Sequence, residues 1–301
     1  MTGKPGLDLL AVVGPTASGK TDLAIELAER LDGELISADS RQVYRECDVG
    51  TNKPDLEALH GIPCHVIDVV DPGEAFTVAD YRRLALAAIA QVRGRGKLPI
   101  LQGGTGLYVR ALLDGWNLGD TPPDPGLRAT LEARLESEGM EALETELRRV
   151  DPTAADRAQR NPRRLIRALE IYAATGRPPS QARRASPPPW ASLVMGLDVP
   201  LAELDRRIET RVDRMLASGL IEEVQRVRAR FPRADLRRLG HGYPEIAAYL
   251  EGTSCLSDVR QDIIKQVRQY ARRQYTWFRA DARVQWIDPT GGSDAVLRRL
   301  G

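Results

Sequence analysis

The sequence predicts an α/β protein in which a doubly wound parallel sheet is interrupted by an all-helical insertion. Short apolar runs alternate with helical patterns in residues 1–118 and return after residue 190, as expected for strands joined by crossover helices. Residues 119–190 have helical patterns and no strand pattern. We therefore expect a core domain formed by residues 1–118 and 191–301, and a helical insertion domain formed by residues 119–190.

Six apolar runs bounded by turns are the strand candidates of the sheet. In chain order they are Leu9–Val13, Glu34–Ala38, Cys64–Val70, Leu98–Gln102, Leu193–Leu197 and Val284–Ile287. Helical patterns lie between several of them, and the run TVADYRRLALAAIAQVR opens with Thr77 and Asp80 at the spacing of a capping box. This alternation predicts parallel pairing, because parallel strands need a long crossover connection.

Proline clusters mark both ends of the insertion, TPPDPG at 121–126 and GRPPSQARRASPPPW at 176–190. Proline disrupts a helix interior, so such clusters are expected where a helical segment leaves and rejoins a sheet. Inside the insertion, the helical runs are LRATLEARLESEG, MEALETELRRV and NPRRLIRALEIYAATG. After it come the strand candidate SLVMGLDV and the helical runs RRIETRVDRMLASG, LIEEVQRVRAR and DVRQDIIKQVRQYARRQYTWFR.

Composition is typical of a soluble globular protein, since 42% of the 301 residues are apolar and 28% are charged. No apolar run has the length of a membrane span, so we expect no membrane partner and a cytoplasmic location. The three cysteines lack C-x-x-C spacing, which indicates neither a disulfide framework nor a zinc site. Net charge is only +1, and nearly all cationic residues are arginines, which reflects either a GC-rich genome or planar phosphate recognition.

The run GPTASGKT at residues 14–21 follows the first strand candidate and precedes the helical run DLAIELAERL. A strand, a glycine-rich turn and a helix start are the context of a phosphate-binding loop, the P-loop of NTPases. Glycines let backbone N–H groups approach phosphate oxygens, and the helix N-terminus favours an anion. Lys20 supplies a positive charge and Thr21 a hydroxyl for Mg²⁺. The predicted fold is therefore P-loop NTPase-like, with ATP as the default ligand.

Polar residues follow the second and fourth strand candidates, at the edge of the sheet where ligands of open α/β folds bind. The run ISADSRQVYR places Asp39 there, as a metal ligand, a base, a hydrogen-bond acceptor or the cap of the next turn. The run ILQGGTGLYVRALL places Gln102, two glycines and Thr105 where a P-loop ATPase usually has an aspartate for water-bound Mg²⁺. GGTG is either a ligand-binding turn or a plain structural turn, and Asp68 is an alternative carboxylate.

Six motifs carry a family resemblance: GPTASGKT, SADSRQVYR, GTNKP, GGTGLYVRALL, NPRRLIRALEIY and QYARRQYTWFR, in that order. Together they resemble the bacterial tRNA dimethylallyltransferases, from the phosphate loop to the last long helical run. The resemblance implies transfer of a dimethylallyl group from dimethylallyl diphosphate to N6 of the adenosine 3′-adjacent to the anticodon of tRNA, with release of pyrophosphate. The loop would then hold the diphosphate of the donor rather than a nucleoside triphosphate.

The resemblance also implies roles for individual residues. Asp39 would be the general base or orienter at N6, and Thr105 would share that task. The diphosphate would be bound, with Mg²⁺ on Thr21, by Gly14, Pro15, Thr16, Ala17, Ser18, Gly19, Lys20, Thr21 and Arg211. The anticodon loop of tRNA would contact Asp39, Ser40, Arg41, Gln42, Thr105, Arg128, Gln159, Arg160, Asn161, Pro162 and Arg163.

The last long helical run interleaves arginines with aromatic residues. Arginines beside stacking aromatics suit looped RNA, so we expect Arg272 and Arg273 to bind tRNA. The alternative is an amphipathic core helix whose aromatic rings are buried. Pro244, in HGYPEI, stands where the family more often has a basic residue, which leaves a local tRNA contact open.

Three other functions compete with prenyl transfer to tRNA. A phosphate-loop kinase of a small metabolite or nucleoside would explain GPTASGKT and the sheet, but neither the helical insertion nor the basic last helix. Prenyl transfer to free adenine nucleotides would leave the arginine-rich helices without a partner. An NTP-switched RNA-binding module would leave Asp39 and Thr105 unexplained. The sequence does not fix the oligomeric state, for which a monomer is our expectation.

Overall fold

The computed structural model of the chain describes residues 6–55, 57–116, 124–182 and 186–300. These residues form a six-stranded sheet whose strands, in chain order, are Leu9–Val13 (β1), Gly33–Ser37 (β2), Cys64–His65 (β3), Leu98–Gly103 (β4), Ser192–Leu197 (β5) and Val284–Ile287 (β6). All neighbouring pairs are parallel, in the order β3-β2-β4-β1-β5-β6. The central strand is β1, in which Leu10 lies opposite both Ile100 and Leu193.

The described residues also form fourteen α-helices and one short 3₁₀ turn, Pro289–Gly291. The helices are Lys20–Leu31 (α1), Val78–Gly94 (α2), Gly106–Leu113 (α3), Pro125–Glu138 (α4), Met140–Val150 (α5), Pro152–Ala158 (α6), Pro162–Thr175 (α7), Pro179–Ala182 (α8), Leu201–Ala217 (α9), Leu220–Arg230 (α10), Leu236–Leu239 (α11), Tyr243–Leu250 (α12), Leu256–Arg279 (α13) and Gly292–Leu300 (α14). Three of them, α4, α6 and α7, begin with proline after a side-chain cap from Asp124, Asp151 or Asn161, as helix starts favour.

The predicted fold class is confirmed, because the strands are parallel and helices connect them. Both β1 and β2 are buried along their whole length, which is typical of a parallel sheet covered on both faces. Strand residues such as Leu10 and Leu35 pack with Leu27 of α1 and Val296 of α14. A second apolar cluster joins α9, α10, α12 and α13 around residues such as Ile208.

The third strand is much shorter than predicted. The sequence predicts a strand over Cys64–Val70, but β3 ends at His65. Val66 and Asp68 have φ values of 61° and 54°, in the left-handed region, and two such residues interrupt an extended backbone. The apolar run is therefore a bend, in which Val66 and Val70 are buried and Asp68 is exposed, and Val70 only bridges to Tyr44 in a single parallel contact.

Most predicted helices are present with small shifts at their ends. The capping box is confirmed: the Thr77 hydroxyl accepts the N–H of Asp80, whose carboxylate accepts the N–H of Thr77. The bounds of α5 and α10 are those predicted, and α13 begins at Leu256, two residues before the predicted run. Sequence patterns did not predict α3, α6, α8, α11, α12 or α14, which are short. A short helix has few turns in which periodicity can be detected.

By its internal contacts the chain divides into two compact units, Met1–Leu112 with Pro189–Gly301, and Leu113–Pro188. The first unit holds the sheet. The second holds α4 to α8, around an apolar cluster that includes Leu143, Leu147 and Leu165. Among the described helices, none combines the length and the apolar character that crossing a membrane requires.

Candidate active site

The phosphate loop (residues 14–21) connects the C-terminal end of β1 to the start of α1. Gly19 precedes the helix with a φ of 90°, a conformation that favours glycine. No side chain caps α1, so the N–H groups of its first turn are left for an external acceptor. The geometry of the loop therefore suits an anion such as a diphosphate.

Lys20, the first residue of α1, turns its ammonium group back into the loop. Its Nζ donates a hydrogen bond to the carbonyl oxygen of Pro15 at 3.2 Å. Burial lowers the pKa of Lys20 to about 8; the carboxylate of Asp39 raises it in part, and Arg211 lowers it further. An anion bound beside Lys20 would raise this pKa again, because it favours the charged form. Binding of an anion at the loop would therefore be coupled to protonation of Lys20.

Thr21, the predicted Mg²⁺ ligand, donates a hydrogen bond from Oγ1 to Oε1 of Gln102 at 3.3 Å, at the end of β4. Ser18 Oγ and Gln102 Nε2 are buried and have no hydrogen-bond partner among the described residues, and buried polar groups generally need one. In the described ranges, no group of three or more His, Cys, Asp or Glu side chains is arranged to hold a metal ion. These residues fit Mg²⁺ if phosphate and water supply most of its ligands, as is usual at phosphate sites.

Asp39 and Thr105 follow β2 and β4, which are neighbours in the sheet, and hydrogen bonds join the two turns. The N–H of Thr105 donates to the carbonyl oxygen of Ala38 at 3.0 Å, and the N–H of Ser40 donates to Oγ1 of Thr105 at 2.9 Å. Asp39 accepts the N–H of Arg41 through Oδ1 at 2.9 Å. The carboxylate and the hydroxyl are thus held by backbone bonds at the ligand edge of the sheet.

Arg211 brings a second cation to the phosphate loop. Its Nη1 donates a hydrogen bond to Oγ1 of Thr16 at 2.9 Å. Burial lowers the pKa of Arg211, while Asp39 raises it and Arg41 lowers it. The guanidinium keeps its charge nevertheless, because its ordinary pKa lies far above neutrality.

A cavity of about 40 Å³ lies beside Asp39 and Arg211, but Lys20, Thr21 and Thr105 are not among the residues that line it. Its lining includes the phosphate loop, the turn after β2, α9 and α13: Thr16, Asp39, Arg41, Gly50, Thr51, Arg211, Val212, Met215, His241, Val267, Tyr270 and Gln274. The structure thus brings Asp39, Thr16 and Arg211 to one space. Several lining residues, among them His241, Tyr270 and Gln274, were not found by sequence reasoning as site residues.

Gln274, which is only 5% exposed, ties the phosphate loop to the GGTG turn. Its Oε1 accepts the N–H of Thr16 at 2.8 Å, and its Nε2 donates to the carbonyl oxygen of Gly104 at 2.8 Å. A Cβ at residue 104 would lie 2.1 Å from this Nε2, so glycine is required there for close approach. The available sequence signal was the four-residue spacing from Tyr270 to Gln274, which puts both on one face of α13.

Arg41 is held at the cavity by two aromatic rings. Its guanidinium lies 5.2 Å from the centre of the Tyr270 ring, and its Nη2 donates to Nε2 of His241 at 3.2 Å. His241 therefore carries its proton on Nδ1, which donates to Oε1 of Gln266 at 3.2 Å. Burial, reinforced by Arg41, lowers the pKa of His241 to about 4, so the imidazole is neutral at neutral pH.

Gly50 and Thr51 reach the cavity on a loop that a buried carboxylate anchors. Glu223, which is 1% exposed, accepts the backbone N–H groups of residues 48, 49 and 50 at 2.8, 2.7 and 2.8 Å. It also accepts the hydroxyl of Tyr243 at 2.7 Å. A buried charge with four donors is well solvated by the protein, and it fixes this part of the wall.

The remaining predicted tRNA contacts of the first unit have internal partners. Gln42 is 6% exposed, and its amide bonds to Ser37 Oγ at 3.1 Å and to the carbonyl oxygen of Asn52 at 3.2 Å. Arg272 is exposed and pairs with Asp205 at 2.8 Å. Arg273 is exposed, and its guanidinium lies 5.8 Å from the centre of the Tyr270 ring. Their contacts with RNA stay predictions.

In the second unit the predicted contacts lie around the start of α7. Gln159 and Arg160 have left-handed φ values of 51° and 53°, Asn161 caps the helix, and Pro162 is its first residue. Gln159, Arg160, Asn161 and Arg163 are exposed. Arg128 differs from them, because Nε and Nη2 both bond to the buried carboxylate of Glu170 at 2.7 Å. Arg163 is therefore a better position than Arg128 at which to test RNA binding, because it is exposed and Arg128 is paired with Glu170.

Comparisons with known proteins agree on one family. The sequence model of a family described as IPP transferase matches residues 42–281. The chain is 48% identical to the tRNA dimethylallyltransferase of Thermomicrobium roseum, over 94% of this chain and 86% of that protein. It is 46% identical to the tRNA dimethylallyltransferase of Geobacter metallireducens, over 96% and 95% of the two chains.

Solved structures give the same result. The tRNA isopentenylpyrophosphate transferase of Bacillus halodurans is similar at 43% identity with a TM-score of 0.69, over 93% of this chain and 89% of that one. A eukaryotic dimethylallyltransferase, whose structures capture it acting on tRNA, is similar at 26% identity with a TM-score of 0.81. That match covers 97% of this chain and 77% of the other.

Proposed function

The chain belongs to the IPP transferase family, and from that membership we propose the reaction of this protein. It transfers a dimethylallyl group from dimethylallyl diphosphate to N6 of the adenosine 3′-adjacent to the anticodon of tRNA, and it releases pyrophosphate. The protein is a transferase, as its relatives are. Because tRNA is the acceptor, we place the reaction in the cytoplasm.

One observation carries the assignment of the site. One cavity is lined by Thr16 of the phosphate loop, by Asp39 and by the apolar residues Val212, Met215 and Val267. A phosphate loop and a polar acceptor site would also suit a kinase, so the apolar residues of the lining are the feature that favours a prenyl donor. A prenyl donor has a diphosphate, which suits the phosphate loop, and an apolar group, which suits the apolar residues of the cavity.

The phosphate loop binds the diphosphate of the donor in this proposal. The N–H groups at the start of α1 and the side chains of Lys20, Ser18 and Arg211 surround its oxygens. Since negative charge increases on pyrophosphate as it departs, these fixed donors stabilise the transition state more than the ground state. Thr21 would contribute a ligand to Mg²⁺, which would supply further neutralisation of that charge.

Asp39 and Thr105 act on the acceptor in this proposal. The bond from C1 of the allyl group to the diphosphate oxygen breaks, the bond from C1 to N6 forms, and the N6 proton passes to the Asp39 carboxylate. The exocyclic amine of adenine is a weak nucleophile, so orienting its N–H toward a carboxylate assists the attack. The hydroxyl of Thr105 orients the same amine, and the apolar wall keeps water from the allylic carbon.

The helical unit and α13 are proposed to bind the anticodon loop. The exposed side chains at the start of α7, Arg163 among them, would contact phosphates, and Arg273 with Tyr270 would contact bases. Drawing the adenosine out of its stack costs a few kcal/mol of free energy. Each base that stacks on an aromatic ring contributes about 1–3 kcal/mol of binding free energy, which offsets that cost.

Incubation of the purified protein with labelled dimethylallyl diphosphate and Mg²⁺ tests this function. Unmodified tRNA, AMP or ATP is offered as the only acceptor, and the label in each acceptor is counted. We expect label in tRNA alone, and no label when Mg²⁺ is chelated. Label in AMP would favour a nucleotide prenyltransferase, and turnover of ATP without transfer of label would favour a kinase; either result contradicts the proposal.

A further inference from the structure

The cavity beside the phosphate loop has one closed apolar side. Val212 and Met215 of α9 and Val267 of α13 line it, and they are 1%, 6% and 8% exposed. All three belong to the apolar cluster that holds α9 to α13 together. This side of the cavity is therefore backed by packed core rather than by a loop that moves easily.

The polar side lies about one helical turn away on α9. Arg211, which bonds to Thr16 of the phosphate loop, stands four residues before Met215, or about 6 Å along a helix that rises 1.5 Å per residue. On α13, Gln274 at the loop stands seven residues after Val267, or about 10 Å along the helix. Along α9, a donor whose diphosphate lies on the loop thus meets the apolar side after roughly the length of one five-carbon unit, whereas Val267 of α13 stands farther along its helix from the residue that contacts the loop.

The volume of the cavity also limits the length of the prenyl chain. Its volume is about 40 Å³, and one water-sized group needs roughly 10–15 Å³ on this measure. The cavity therefore has room for about three or four such groups. A branched five-carbon group fits nearly all its carbon atoms into that space, whereas a ten-carbon chain has twice as many carbon atoms.

We propose that Met215, supported by Val212 and Val267, selects a five-carbon donor by closing the apolar end of the cavity against longer prenyl chains. The inference rests on the proposed function, because it needs the diphosphate of a prenyl donor on the phosphate loop. Met215 is the residue to change, since it is the longest of the three side chains and truncation to alanine opens the most space.

The test compares two donors with the full-length protein and unmodified tRNA. The ratio of kcat/KM for geranyl diphosphate to kcat/KM for dimethylallyl diphosphate is measured for the wild type and for Met215→Ala. Each methylene accommodated in an apolar pocket changes such a ratio by about tenfold or more, so we expect Met215→Ala to raise it at least tenfold. Met215→Leu, which nearly conserves volume, is expected to keep the wild-type ratio.

Ile208→Ala is the matched control. Ile208 is fully buried on the same helix and in the same cluster, but it does not line the cavity. Its truncation creates a core cavity as well, with a loss of stability of about 2–5 kcal/mol, and it should leave the donor ratio unchanged. An equal change in Ile208→Ala and Met215→Ala would overturn the inference, because the effect would then come from general loosening of the core.

Two further outcomes decide the remaining cases. If Met215→Ala fails to fold, Val212→Ala is expected to raise the geranyl ratio, and an unchanged ratio in a folded Val212→Ala overturns the inference. If the wild type is active and Met215→Ala has the wild-type ratio, the inference is overturned but the proposed function is not. A wild type that leaves dimethylallyl diphosphate unreacted in the presence of tRNA and Mg²⁺ overturns the proposed function as well.

Discussion

At the scale of single residues, Asp39 is the most direct test of the chemistry. Asp39→Asn keeps an oxygen that can accept the N–H of Arg41, so the turn after β2 should persist. Loss of the carboxylate removes the proton acceptor, and we expect single-turnover transfer to fall by about 10²–10⁴-fold. Binding of tRNA, measured by filter retention, should change little. An equal loss of turnover and of tRNA affinity would show that Asp39 binds tRNA and does not act as the base.

The lowered pKa of Lys20 predicts that donor binding depends on pH. Its pKa in the free protein is lowered to about 8, chiefly by burial, and a bound diphosphate raises it. Affinity is therefore flat below pH 8 and falls as pH rises above 8, because binding then requires uptake of a proton. The measurement is calorimetric titration of an unreactive dimethylallyl diphosphate analogue from pH 6.5 to 9.5, with Lys20→Met as the control. Identical pH profiles in the two proteins would show that Lys20 is not the titrating group.

At the scale of elements, Gln274 connects α13 to two loops of the site. Gln274→Leu leaves the N–H of Thr16 and the carbonyl of Gly104 without their buried partner, at a cost of about 1–3 kcal/mol for each group. We expect weaker binding of the donor analogue and unchanged affinity for tRNA. Gln269→Leu, at an exposed position of the same helix, is the control. Full donor affinity in Gln274→Leu would mean that this bridge does not shape the phosphate loop.

The loop at residues 48–51 depends on Glu223 of α10. Glu223→Gln exchanges an acceptor of four hydrogen bonds for an amide with one acceptor oxygen, so at least one buried donor loses its partner. We expect the free energy of unfolding, measured in urea, to fall by about 2–4 kcal/mol. The neighbouring Glu222 is exposed, and Glu222→Gln should change it by less than about 0.5 kcal/mol. Equal stability of the two variants would contradict the anchoring role.

The sequence predicted those elements whose pattern is long or whose motif has a fixed geometry. The strand, glycine turn and helix around residues 14–21, the capping box at Thr77 and the bounds of α5 followed from local rules. The third strand did not, because the left-handed conformations of Val66 and Asp68 leave no mark in a hydrophobic run. Gln274 and Met215 were missed for another reason: their roles depend on packing between α9, α13 and loops more than a hundred residues away.

At the scale of the whole molecule, recognition of tRNA is expected to be electrostatic in part. Arg163 is exposed at the start of α7, and Arg163→Gln should weaken tRNA binding and reduce the slope of log K against log salt by about one. Arg148→Gln is the control, since Arg148 is exposed in the same unit but pairs with Glu144 and Asp156. Filter binding over a range of salt concentrations gives both slopes. An unchanged slope for Arg163→Gln would mean that this arginine meets no phosphate.

We propose that the phosphate loop holds a five-carbon prenyl diphosphate rather than a nucleoside triphosphate. A crystal soaked with Mg²⁺ and equal concentrations of ATP and an unreactive dimethylallyl diphosphate analogue tests it most directly. We expect diphosphate density on residues 14–21, next to Lys20 and Arg211, with the isoprenoid directed toward Met215. ATP seated on the loop, with the analogue absent from the cavity, would contradict the account.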